Sequence, residues 1–193
     1  MATRSFIADD KTAAGVGPDH VRATAGSILR YQLNVIGVST RDVVQSAGGW
    51  LCDRARAGWD VNVLVADGGD AMPLAILGAT AIDLEEGLPG LVRSASRGAA
   101  LAVSTDLLGA DTRVRDEVLR ALKRGLTEVT VWGSQWPAEL GRQANAVQHR
   151  VSAAARAFKS QALVAADLSV DAATRTEALF RIGTGSFRPL YSV

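Results

Sequence analysis

VNVLVADGGDAMPLAILGA, residues 61–79, sets two short apolar runs on either side of a polar reversal. Val61–Ala66 is rich in β-branched residues and reads as a strand. Leu74–Ala79 is a second continuous apolar run and reads as another. Only residues 67–73 join them, and a crossover between parallel strands needs about a dozen residues. The two runs are therefore expected to pair as an antiparallel hairpin. Asp67, Gly68, Gly69 and Asp70 supply the conformations a tight reversal needs. The acidic tip then reads as a turn rather than a ligand site. It is expected at the sheet edge opposite the carboxyl ends of the strands that follow.

Two more strand-like segments come later, Ala99–Thr105 and Glu128–Trp132. The connections 80–98 and 106–127 are long enough for helices. The later one is well marked: Asp111 or Thr112 as cap, an apolar stripe of Val114, Val118, Leu119 and Leu122, and Gly125 past the end. The earlier one is interrupted by Gly87, Pro89 and Gly90. The second, third and fourth strands should run parallel with right-handed connections.

Upstream, residues 1–18 read as a flexible arm. Asp19 is placed to cap a helix through about Ile36, stopped by Gly37. Ser39 is a cap for the next helix, with Asp42 three residues on, and Val43, Val44, Ala47, Leu51 and Ala55 form its apolar stripe up to Gly58. Gly48 and Gly49 lie inside that helix and cost roughly 2 kcal/mol relative to alanine. Either another backbone approaches closely there or the helix breaks. Downstream, Leu140, Ala144, Val147, Val151, Ala154, Phe158 and Ala162 recur at helical steps and predict one long helix over 138–166. A shorter helix over 170–182 follows, capped by Ser169 or Asp171. The expected fold is α/β: a mixed, mostly parallel sheet of about four strands with the first antiparallel, flanked by helices. A helical lead precedes it, a long helix follows it, and residues 19–193 form a single domain.

Composition narrows the function. A net charge of +1 gives no global field toward nucleic acid or an anionic membrane. The single cysteine, Cys52, excludes an internal disulfide and a cysteine-based metal cluster, and reads as a small buried hydrophobe. The two histidines, His20 and His149, exclude an imidazole-rich metal site. No apolar run approaches the ~18 residues of a membrane span, no targeting segment appears, and a cytoplasmic location is expected. No metal and no cofactor is expected. There is no phosphate loop with its lysine, no nucleophile elbow, no HExxH and no CxxC.

Two constellations remain. In open parallel sheets ligands bind beyond the carboxyl ends of the strands. Thr80, Asp83, Ser104, Thr105, Asp106, Asp111, Ser134 and Gln135 are expected there. Asp106 with Thr105, Ser134 and Asp111 is the catalytic candidate set, although Asp111 also looks like an ordinary helix cap. The second constellation lies on the predicted long helix. Arg142, His149, Arg156 and Lys159 make a basic stripe for a phosphate, a carboxylate or an acidic partner. The glycine pair and the over-long helix point to a homodimer. Because every common catalytic signature is missing, the leading expectation is a non-catalytic, oligomeric binding or regulatory protein working through helical surfaces. The alternative is an enzyme acting on a phosphorylated or nucleotide-like small molecule with Asp106 at the strand edge. Nucleic-acid binding through the stripe comes third, because dense basic clustering with interleaved aromatics is missing.

Overall fold

The structure is a computed structural model and describes residues 31–91, 99–124, 128–133 and 144–182. The expected arm, the predicted capping residue Asp19 and most of the predicted first helix lie outside those residues. What falls inside is a seven-stranded sheet of order β3-β2-β1-β4-β5-β7-β6. Its strands are β1 (Gln32–Gly37), β2 (Asp60–Val65), β3 (Thr80–Asp83), β4 (Ala100–Ser104), β5 (Glu128–Trp132), β6 (Ala144–Arg150) and β7 (Thr176–Ile182). The helices are α1 (Thr40–Arg56), α2 (Met72–Ile76), α3 (Leu84–Leu91), α4 (Thr105–Ala110), α5 (Thr112–Arg124) and α6 (Ala153–Ala165), with a 3₁₀ turn at Val170–Ala172.

β1 to β5 are all parallel. β7 alone runs against them, between β5 and β6. A mixed, mostly parallel α/β sheet is thus present, with seven strands rather than about four. The expected antiparallel hairpin does not form. Leu74–Ile76 belongs to α2, which Pro73 opens at its first positions. The next strand, β3, begins at Thr80 and pairs parallel with β2. The linker between strands is therefore long enough for a crossover, and Asp67 and Asp70 sit at the carboxyl edge, the same edge as Asp106. They do make turns: Asp67 accepts from the Gly69 N–H and Asp70 from the Met72 N–H. Ile36, expected to end a helix, lies in β1, where Leu33, Val35 and Ile36 are buried.

The predicted helix over 138–166 is corrected to β6 followed by α6, with Ser152 capping the Ala155 N–H. The predicted helix over 170–182 is corrected to the 3₁₀ turn and β7. Ser39 caps α1 as expected, accepting from the Asp42 N–H, and α1 ends just before Gly58.

Alternation along the strands splits the core in two. Leu33, Val35, Val63, Ala102, Trp132 and Leu179 pack with α1, α2 and α6 on one face. Ile36, Leu64, Leu101, Val103, Val129 and Val131 pack with α3, α4 and α5 on the other. The result is a helix–sheet–helix sandwich whose central strands are apolar on both sides.

The glycine pair in α1 is explained within one chain. A Cβ on Gly49 would stand 2.6 Å from Val151 Cγ1 and 3.0 Å from Glu177 Oε1. A Cβ on Gly48 would meet Leu77 Cδ1 at 3.2 Å. The pair admits α2, α6 and β7 to the helix surface. With the long helix gone as well, neither feature that pointed to a homodimer needs a second copy.

Candidate functional site

Chain order reverses between β1 and β4. From β1 the chain moves outward to β2 and β3, and from β4 it moves the other way to β5. Such a switch point opens a crevice at the carboxyl edge of a parallel sheet. Register puts Ile36 beside Val103, and Ser104 beside Trp132. The carboxyl ends of β1, β4 and β5 therefore lie side by side, and α1 and α4 start directly above them.

This edge carries more hydrogen-bonding capacity than the protein uses. The hydroxyl oxygens of Thr40, Ser104 and Thr105 are buried and have no partner among the described residues. Buried polar atoms are nearly always paired, so orphans gathered at one place require an explanation. Beside them Asp42, half-buried in the first turn of α1, accepts from Ser46 Oγ at 3.1 Å and from Trp132 Nε1 at 3.3 Å. The indole fixes the carboxylate from β5 and the serine fixes it from its own helix. Gly133 follows Trp132 at φ +125, a conformation that favours glycine, and a Cβ there would fall 2.2 Å from Thr105 Oγ1. Any side chain at 133 would fill the space over that hydroxyl.

The catalytic candidates read from the sequence fare unequally. Thr105 stands at this edge. Asp106 is exposed in the first turn of α4 and makes no hydrogen bond or ion pair among the described residues. Asp111 does the work of a cap: it accepts from the Arg113 and Val114 N–H groups and pairs with the Arg113 guanidinium, which also bridges to Glu85. Those Arg113 hydrogen bonds hold both carboxyls below the usual carboxylate range. Ser134 lies outside the described residues. Asp42, Thr40 and Trp132 were not expected at a site, because β1 read as helix and the start of α1 did not appear to follow a strand. Ser39 and the acidic residue three on were visible, but only as a cap.

The basic stripe is not assembled. Arg142 lies outside the described residues. His149 is in β6, where its Nε2 meets Asp53 Oδ2 at 2.8 Å. Burial pushes the Asp53 carboxyl up, but hydrogen bonds from Ser152 and His149 outweigh it and hold the group below its ordinary range. Lys159 is fully buried on Glu177 at 2.5 Å. Arg156 faces a surface concavity together with Arg150 and Arg175. A smaller cavity of about 150 Å³ lies beside His149, lined also by Trp50, Arg54 and Arg181. Cys52 is buried, as expected, and burial raises its thiol pKa. Among the described residues no group of three or more His, Cys, Asp or Glu side chains is placed to hold a metal ion. No helix among them is long and apolar enough to cross a membrane.

No protein-family model matches the sequence, and no curated protein matches it. Solved structures do share the architecture. The A40926 pseudoaglycone deacetylase superposes with a TM-score of 0.57 at 16% identity, covering 78% of this chain and 96% of that one. A deacetylase from the teicoplanin biosynthesis pathway, solved with teicoplanin, gives 0.59 at 12%, covering 80% and 99%. GalB, the 4-carboxy-2-hydroxymuconate hydratase from Pseudomonas putida, gives 0.58 at 11%, covering 83% and 99%. At these identities the likeness is one of fold. It nevertheless runs against the expectation of a non-catalytic regulatory or protein-binding chain, because the neighbours named here are two deacetylases and a hydratase, all enzymes.

Proposed function

We propose that the chain is an enzyme acting on a small molecule at the carboxyl edge of β1 and β4, in the class of hydrolytic deacylation. The observation that carries this is the set of orphaned hydroxyls on Thr40, Ser104 and Thr105 beside the oriented carboxylate of Asp42. The names of the fold's neighbours add the reaction class: deacetylation and hydration both consume water.

In this reading Asp42 takes a proton from the attacking water, and the water oxygen bonds to the acyl carbon. Trp132 and Ser46 keep the carboxylate aimed. Hydroxyls at the edge donate to the carbonyl oxygen as it gains charge. The carbon–nitrogen bond then breaks, the proton passes to the departing amine, and a carboxylate is released. Among the described residues no cluster of side chains is placed to hold a metal ion, and no step is routed through one. Asp42 takes the place that the sequence suggested for Asp106.

Acetate release from a panel of N-acetylated sugars and glycopeptides tests the proposal. General-base removal should lower the rate about 10²- to 10⁴-fold in Asp42→Asn, with an unchanged circular dichroism spectrum. A native protein inactive across the panel, or a variant as fast as native, would overturn it.

A further inference from the structure

We infer that the chain carries a second ligand site, remote from Asp42, that binds a phosphate group. It lies in the concavity of about 440 Å³ lined by Arg150, Val151, Ser152, Ala153, Arg156 and Arg175. Arg150 closes β6, Arg175 immediately precedes β7, and Arg156 is in the first turn of α6. The antiparallel pairing of Arg150 with Thr176 brings the first two together across the ladder.

None of the three guanidinium groups has an ion-pair or hydrogen-bond partner among the described residues. Several other arginines do have partners: Arg113 pairs with Asp111 and Glu85, Arg120 with Glu117 and Arg181 with Glu128, while Arg54 and Arg56 lie over aromatic rings. Three unpaired positive charges on one concave wall repel each other, and that cost is removed by an anion. No acidic side chain lines the concavity. Asp53, whose carboxylate reaches the lining residue Ser152, is engaged by the Ser152 N–H and by His149. The chain's net charge is only +1, so this concentration is local.

The chemistry favours phosphate over a single carboxylate. A guanidinium presents a planar fork that matches two oxygens of a phosphate, and a dianion answers several forks at once. The size of the hollow fits a small phosphomonoester better than an extended polyanion. The site stands eleven residues along α1 from Asp42, at Asp53, which is about 16 Å at the rise of a helix. It therefore does not depend on the reaction proposed above.

Titration calorimetry at fixed ionic strength, with inorganic phosphate, glycerol phosphate and a short DNA duplex, tests the inference. Glycerol phosphate and inorganic phosphate should bind and raise the melting temperature of the native protein. Arg156→Lys, Arg150→Ala and Arg175→Ala should each weaken binding about tenfold or more. Arg120→Ala should not, and Asp42→Asn should bind as native does. That last variant separates failure of this site from failure of the catalytic reading. The inference fails if neither phosphate ligand produces heat or a thermal shift at ten-millimolar concentration. It also fails if Arg120→Ala weakens binding as much as the three variants, or if only the duplex binds.

Discussion

Lys159 and Glu177 take opposite charges into the interior, with side-chain exposures of 0% and 2%. Removing two ions from water costs several kcal/mol each, and geometry alone offsets it. Here the geometry is complete. Lys159 Nζ donates to the Gln45 carbonyl at 2.7 Å as well as to Glu177, and Glu177 accepts from the Gly49 and Trp50 N–H groups at 2.8 and 2.7 Å. Lys159→Met leaves the carboxylate buried without its counter-charge. The expected loss is about 3–5 kcal/mol, or a melting point lowered by roughly 10 °C, read by calorimetry. Asp53 sets a second residue-scale expectation. Its folded pKa lies below its unfolded one, so its contribution is complete above the ordinary carboxylate range and is lost as pH falls through the lower folded value. As the pH falls below the ordinary carboxylate range, Asp53→Asn should lose stability less steeply than the native chain, as followed by urea midpoints. A parallel slope for both proteins would assign the acid sensitivity elsewhere.

At the scale of elements, α1 gives the sharpest contrast. Alanine at Gly49 gains helix propensity but drives its methyl to 2.6 Å from Val151, and overpacking of that kind costs about 1–3 kcal/mol. Alanine at Gly48 meets Leu77 Cδ1, a flexible side-chain end, at 3.2 Å and the Lys159 side chain at an ordinary 3.7 Å, and the propensity gain of about 1 kcal/mol offsets the closer contact. Gly49→Ala should therefore melt lower than native and Gly48→Ala close to native. Strong local signals made α1, β4, α5 and β5 legible: the Ser39 cap, the apolar run over Ala100–Ser104, the Asp111 cap. The misread elements lacked them. β6 is an edge strand with Asn145, Ala146, Gln148 and Arg150 exposed, and its sparse apolar residues happen to fall at helical steps. β7, TEALFRI, contains good helix formers and becomes a strand because β5 and β6 offer ladders on both sides. α2 shows how one misreading spreads: a short apolar run fits strand or buried helix equally, and Pro73 was the discriminating residue.

Across the whole molecule, β1 and β4 lie at the centre of the sheet, with helices on both faces. Their amides should be the last to exchange with solvent, while those of β6 and β3 at the sheet edges exchange early. Uniform protection across all seven strands would contradict this arrangement. The α/β class was legible because apolar runs and helical stripes alternate along the chain. The position of Asp42 was not, since a crevice at a switch point exists only once strand order is known. The Lys159–Glu177 pair bears on how the chain is made. It stitches Gln45, Gly49 and Trp50, near the start of the described chain, to residues well over a hundred positions later. As the polypeptide leaves the ribosome, α1 emerges with a glycine-weakened middle and two amides aimed at a carboxylate not yet synthesised. Until the closing strand arrives, the amino-terminal half has no means of completing its own interior. Nascent chains halted before residue 177 should be digested by protease, and those released after it should resist.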